Sequence, residues 1–472
     1  LQTGNYNVII GNGAGYNLAG VSNCVLMGDE AGYNIDDTDA NGTVAIGHES
    51  GKSLTSGAGN TLIGYLAGLY LEDSYNTSIG FEAGRYVDGS SNNFIGYFAG
   101  RGSSQSAPYG NGTNNVALGR EALRSISSGS FNVAIGRDAL ELTTDGGYNI
   151  ALGYAAGTAI TSGNNNILLG RNAANSLTTG GSNVVIGYQA LYLENTGGNA
   201  VAIGYRAGYK NRISATNYNI FLGTNAGREN ASGNRNTYLG YGAGYGTDGS
   251  HSDYNVAVGM YSLFHVIGDY STAVGYQAGY YASASYNTFV GSEAGKGGTT
   301  GAPYSSGKYN TGVGANALKG FTTGQYNTTI GKDAGKAITT ANYNVFVGSW
   351  AGDAVTAGGY NVAMGHQAFS AASTDSDFTV AVGHQAGMAI TSGDGNVILG
   401  AYAGSTLEDL DNSVIIGRQA AQSGNLTAAA DGLIAIGYQA MKVHTTGARN
   451  IAIGYNAMSD TDAGSTSLGS GD

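Results

Sequence analysis

A chain of 472 residues is long enough for about three globular domains, yet 82 glycines and two prolines exclude collagen-like and proline-rich classes. Twenty basic against 32 acidic residues leave a net charge of −12, which argues against a nucleic-acid partner. The single Cys24 rules out an intramolecular disulfide, and no apolar run approaches the roughly 20 residues that would insert in a membrane as a helix.

In chain order, one short unit begins at Asn7-Val8-Ile9-Ile10-Gly11, with Ala14 three residues on, and recurs to the end. Twenty-six glycines occupy this place, from Gly11 through Gly136 to Gly454. We number each copy from that marker glycine as position 0. Asn occupies position −4 in 19 copies, and position +3 is Ala in 24 copies and Ser (Ser50, Ser262) in two. Cys24 stands at an Asn position, where a small buried substitute is expected. Fourteen of the 25 spacings are 17 residues, too short for a helical pair and suited to one coil of a β-solenoid. The expectation is therefore an all-β, parallel β-solenoid (β-roll) of about 26 coils, each with a perimeter near 55 Å.

Within a copy, positions −3 and −1 are usually aliphatic or Thr, as in Val133 and Ile135, and alternate like one face of a short strand. That pair is expected to face the interior. Position −2 should then point outward, yet it is Ala134, Leu168, Phe221, Phe289 or Phe346, so a second chain or another wall is expected to cover it. The marker glycine turns the chain, and a second glycine at +4 in 16 copies (Gly15, Gly157, Gly335) makes another corner. The recurring Asn is expected to stack into a ladder of side-chain amides. Thr-Thr-Gly and Thr-Ser-Gly segments supply turns.

A longer period overlies the short one. Glycines 64, 80, 96, 119, 136, 153 and 170 reappear 195 residues later, so eleven coils form a super-repeat. Each 23-residue coil holds one proline, in Ala107-Pro108-Tyr109 and Ala302-Pro303-Tyr304, and reads as a protruding loop. No linker interrupts residues 1–472, which read as one continuous array cut from a longer repeat protein.

The segments Asn115-Val116-Ala117-Leu118-Gly119, Asn132-Val133-Ala134-Ile135-Gly136 and Asn450-Ile451-Ala452-Ile453-Gly454 resemble the head repeat of trimeric autotransporter adhesins. Similar repeats occur in bacteriophage tail fibres and bacterial surface proteins. The resemblance implies a left-handed β-roll, three chains side by side, and an extracellular, cell-surface or virion setting. Asn here replaces the family's usual Ser, and the coils are longer than the family's, which are nearer fourteen residues.

Candidate sites are few. Position −5 is Tyr in seven consecutive coils (Tyr254, Tyr270, Tyr286, Tyr309, Tyr326, Tyr343, Tyr360), a strip that could contact glycans or simply stabilise itself. The loops at Pro108, Tyr109, Pro303 and Tyr304 are a second candidate glycan contact. Glu121 and Asp138 stack beside Arg120 and Arg137 as a paired-carboxylate candidate for polysaccharide cleavage, with a solvated charge row the plainer reading. His48, His366 and His384 follow marker glycines and lack the further ligands a metal needs. Acidic runs at Asp36-Asp37-Thr38-Asp39 and Asp460-Thr461-Asp462 lack the spacing of calcium β-rolls. Thr144, Thr161, Thr178, Thr322, Thr339 and Thr391 align in one column, which raises an ice-binding reading. The expectation is a non-enzymatic structural rod or filament segment, self-associating as a homotrimer or laterally, without catalytic residues, metal or cofactor. The alternative is a glycan-binding module.

Overall fold

A computed structural model describes residues 4–103, 109–212, 217–247, 249, 251–299, 301, 304–371, 376–422, 431–443 and 448–459. The chain divides into two compact units, Leu1–Asn236 and Thr237–Asp472. Each is a parallel β-solenoid built from three-residue strands. The first holds thirteen, β1 (Val8–Ile10) to β13 (Ile220–Leu222), and the second thirteen more, β14 (Thr237–Leu239) to β26 (Ile451–Ile453). Among the described residues the one helical stretch is a single turn at Thr38–Ala40. The all-β solenoid with a 17-residue repeat is therefore as expected.

Successive strands pair in register, so equivalent residues form columns: Val133 faces Ile150, Ala134 faces Ala151, and Ile135 faces Leu152. The Val133 N–H donates to the Asn149 carbonyl at 2.8 Å, and the Gly153 N–H donates to the Ile135 carbonyl at 2.9 Å. Strand backbone bonding thus runs from coil to coil, while turn bonds such as Thr143 N–H to the Leu140 carbonyl (3.1 Å) close within a coil.

The two strand faces are the reverse of the sequence expectation. Position −2 points inward: Ala134, Ala151, Leu168, Val185, Phe221, Phe289, Phe346, Ile398 and Ile415 are all fully buried. Positions −3 and −1 point outward, with Val133 half-buried and Ile135 36% exposed. The cause is the narrow bore. The interior must also hold the Ala at +3, the side chain at +4 and another at +7, as with Ala122, Leu123 and Ile126. Only one residue of each strand fits inside as well, and the bulkier β-branched pair stands on the outer pleat, where such residues are favoured.

Volumes trade places inside the tube. Phe94, Phe221, Tyr238, Phe289 and Phe346 at −2 are each followed by glycine at +4: Gly100, Gly227, Gly244, Gly295 and Gly352. A Cβ on Gly295 would overlap the Phe289 ring. Where −2 is small, as at Ala117, Ala134, Ala257 and Gly312, position +4 supplies Leu123, Leu140, Leu263 and Leu318. In these coils the core is filled by exchange between two columns.

The asparagine ladder forms as expected. Buried Asn132 donates from its N–H (3.0 Å) and Nδ2 (3.1 Å) to Asn115 Oδ1, and Nδ2 also reaches the Gly146 carbonyl at 2.8 Å. Asn149 repeats the pattern one coil on. Cys24 takes its place in that column, fully buried, with its N–H on Asn7 Oδ1 at 2.9 Å, and burial pushes its thiol pKa up. The marker glycines are obligatory twice over. Gly136 has φ +130°, and a Cβ there would lie 2.6 Å from the Gly153 carbonyl oxygen of the next coil.

Candidate functional site

Because position −2 faces inward, alternation within the strand sets positions −3 and −1 on the outward wall, and the flanking residues at −5 and +1, such as Phe131 and Arg137, are exposed as well. Its two central columns are strand residues. Position −1 is Ile, Leu, Val or Met in all 26 copies, and position −3 is Val, Ile, Thr or, once, Asn93. No charged side chain occurs in either column. Several of these aliphatics are more than a third exposed, including Leu118 (45%), Ile150 (39%), Leu152 (38%) and Ile220 (43%).

Aromatic rails flank the strip. In the second unit, Tyr254, Tyr270, Tyr286, Tyr309, Tyr326, Tyr343 and Tyr360 stack in sequence, with centroids 4.8–5.2 Å apart and planes within 11° of parallel. Phe378, which the sequence reading left out, extends the stack at 5.0 Å. Tyr326 is covered on both ring faces, by Tyr309 and Tyr343 at 4.9 Å each. Sugars stack on ring faces, and here solvent meets ring edges instead. Beside the strip, Tyr343, Tyr360, Asn342 and Asp377 line a shallow depression of about 300 Å³. All seven tyrosines hold a left-handed backbone, φ 58° at Tyr309, where a Cβ costs roughly 1–2 kcal/mol. Stacking with both neighbours offsets part of that cost.

Pro108 and Pro303 lie outside the described residues, so the protrusion expected there is not addressed by them. Tyr109 and Tyr304 are half-buried and folded against earlier coils. Tyr109 stacks on Tyr70 at 4.5 Å and Tyr304 on His265 at 4.3 Å, the same position 195 residues on. Each long coil then rejoins the solenoid through one parallel bridge, Val87 with Gly110 and Ala282 with Ser305. His265 also faces Tyr281 at 5.4 Å, and burial lowers its pKa.

Glu121 and Asp138 do come together, and Glu141 joins them, one oxygen of each lying within 4.8 Å of the others. Three arginines answer the three acids. Arg124 bridges Glu121 (3.1 Å) and Glu141 (2.8 Å), Arg120 pairs with Glu121 (2.8 Å), and Arg137 pairs with Asp138 (3.1 Å). Burial raises the Glu141 pKa, opposed by Arg124. These half-buried acids form a locally neutral network rather than an open charge row.

His366 and His384 stack at 5.2 Å, with Trp350 edge-on to the first and Tyr402 edge-on to the second. His48 stacks on Tyr65 and lies 3.4 Å from Asp29. The threonine column serves the backbone. Thr178, Thr322, Thr339 and Thr391 donate to the next coil's carbonyl at 2.9–3.0 Å, and Thr144 and Thr161 do so at 3.3 and 3.4 Å. Asp37 accepts the Asp39 N–H at 3.1 Å as the cap of the short helical turn, and residues 460–462 lie outside the described set.

One fully buried carboxylate escaped sequence reading. Glu194 sits fully buried at +7, where other coils carry Ile126, Ile160 or Leu177. Its Oε1 accepts the N–H groups of Asn195 (3.0 Å) and Gly197 (2.9 Å), and its Oε2 accepts Asn217 Nδ2 (3.0 Å). An acid in an aliphatic column is visible once the coils are aligned on +7.

The fold places the chain in the class of parallel β-solenoid repeat proteins. Comparison with protein-family models, curated proteins and solved structures returns no match.

Proposed function

We propose that this chain is a structural, non-catalytic repeat segment of an extracellular adhesin, filament or fibre, bearing load and presenting contacts at a distance. The observation that carries the reading is how the coils spend their polar groups. Strand backbone, buried Asn, Thr hydroxyls and the Arg–carboxylate network all bond to adjacent coils. Bonding of that kind resists separation of coils from end to end, and stability accrues coil by coil. Single-molecule pulling tests it. Extension should proceed in steps of one or a few coils, each 17-residue coil releasing roughly 60 Å of chain. Collapse of a whole unit in one low-force event would count against a load-bearing role.

A second reading is glycan contact through the tyrosine rail, favoured by the depression beside Tyr343 and Tyr360. Covered ring faces speak against it. Saturable binding on a glycan array, lost in Tyr343→Ala, would revive it.

A further inference from the structure

We propose that the outward aliphatic strip of the first unit is a docking face for a second copy of this chain, the two sheets meeting face to face. Seven consecutive strands, from Val116–Leu118 to Ile220–Leu222, carry only Val, Ile or Leu at both outward positions. Single exposed aliphatics are ordinary on any protein. Fourteen in an unbroken double row are not, because solvent-facing strand positions normally take polar residues.

The size of the face fits a stable interface. The two uncharged columns are about 13 Å across, and thirteen coils at ~4.8 Å span about 58 Å along the axis. One unit therefore offers on the order of 750 Å², close to the roughly 800 Å² per partner of a standard interface. The step of the surface selects the occupant. Side-chain rows repeat at the coil spacing, so only a partner with the same spacing can interdigitate along the full length without losing register. A second copy meets that condition at every row. The two central columns carry no charge, so nothing ionic is left buried when they close.

The proposal rests on the structural reading above, and its test is separate: coil-wise extension can hold while association fails. Sedimentation equilibrium of the intact chain should show a dimer or larger assembly at micromolar concentration. Association should tighten as salt rises, since copies of net charge −12 repel. Leu118→Lys with Leu152→Lys should weaken association at least tenfold with an unchanged circular-dichroism spectrum. Ser128→Lys with Ser162→Lys, in the polar turns, should leave it intact. As a second probe, Ile135→Cys should give an intermolecular disulfide on oxidation and Ser128→Cys should not. The proposal is overturned by a chain that stays monomeric, by association that weakens with salt, or by an assembly indifferent to the Leu118/Leu152 pair. A monomer retained on an octyl matrix through this strip would reassign the occupant to a hydrocarbon surface and equally end it.

Discussion

Residues 59–170 and 254–365 are the same seven coils written 195 positions apart, and they differ in an instructive way. Facing inward, the Asn column is kept at six of seven positions; only Asn76 becomes Ser271. The Phe94–Gly100 exchange recurs as Phe289–Gly295. Facing outward, Val116 and Val133 become Thr311 and Thr328, and Asn114, Phe131 and Asn165 become Tyr309, Tyr326 and Tyr360. At −3 the last four coils of the first copy are all aliphatic (Val116, Val133, Ile150, Ile167) where the second has Thr311, Thr328, Val345 and Val362, and only the second carries an unbroken tyrosine stack. The marker glycines are held and the Asn column nearly so, whereas inner position −2 is kept only at Phe94/Phe289 and changes elsewhere, as from Ala134 to Thr329, Ala151 to Phe346 and Leu168 to Ala363. Outward position −1 stays aliphatic in both copies, which is the feature behind the docking face proposed above.

Where an inner position is kept, damage to it should cost the same in both regions. Phe94→Ala and Phe289→Ala should each destabilise the surrounding coils by about 3–5 kcal/mol, read as lost hydrogen-exchange protection. Adding Gly295→Leu to Phe289→Ala should restore much of that, reproducing the Ala134–Leu140 arrangement. Gly295→Leu alone should be as damaging as the Phe deletion. Unequal losses at 94 and 289, or no rescue, would break the equivalence.

Next in size comes the asparagine column. Asn327→Ala removes the Nδ2 bonds to Asn310 Oδ1 (3.1 Å) and the Ala341 carbonyl (2.8 Å), and strands the N–H of Asn344. Each stranded buried group costs roughly 1–3 kcal/mol, so a loss near 3 kcal/mol is expected by the same measurement. Asn132→Ala should match it.

The outer columns should behave asymmetrically. Tyr309→Asn converts one rail position into its Asn114 counterpart, giving up two stacking contacts of about 0.5–1.5 kcal/mol each. Asn tolerates the left-handed backbone, so the net loss should be about 1 kcal/mol, and Tyr309→Ala should lose more. Thermal melts of the two variants that coincide would show that backbone strain at this column carries no weight.

The smallest effect is a pH dependence confined to one copy. Glu293 is bonded by Lys296 and Lys319, which hold its pKa below the ordinary carboxylate value, whereas its counterpart is Phe98. A carboxylate depressed in the folded state adds stability that is full above its unfolded pKa of about 4.3 and is lost as pH falls through the folded value. Glu293→Gln should therefore flatten the stability profile below about pH 4.3 by up to ~1 kcal/mol, as followed in acid titration by circular dichroism.

Much of this was legible from spacing alone. The marker glycine, the Asn four residues before it and the Ala three after it are single-residue columns, and each imposed one role: corner, ladder, close approach. The strand's facing was not legible, because Val133, Ala134 and Ile135 are all apolar and alternation cannot say which face is dry. Bore width decides it, and that depends on Leu140 and Ile126, which look like loop residues in one dimension. Tyr109 was similarly opaque. A residue beside a proline reads as a loop tip, and only the third dimension sets it against Tyr70 and Tyr86. Phe378 could have been added to the tyrosine strip by accepting any aromatic ring at −5.

The left-handed residues have a consequence for how such a chain comes to be. A coil such as 132–148 holds Asp138, Leu140 and Tyr148 at φ 58°, 50° and 59°. None of these is glycine, and the bonds and stacking that offset the strain come from the coils above and below. A lone coil has the cost without the return, so residues 132–148 as an isolated peptide should give a disordered circular-dichroism spectrum. A finished coil, by contrast, offers the next segment a complete set of partners already in place. The tube should therefore lengthen like a crystal at its growth face, each new turn cast against the last, with the first turn the slow event.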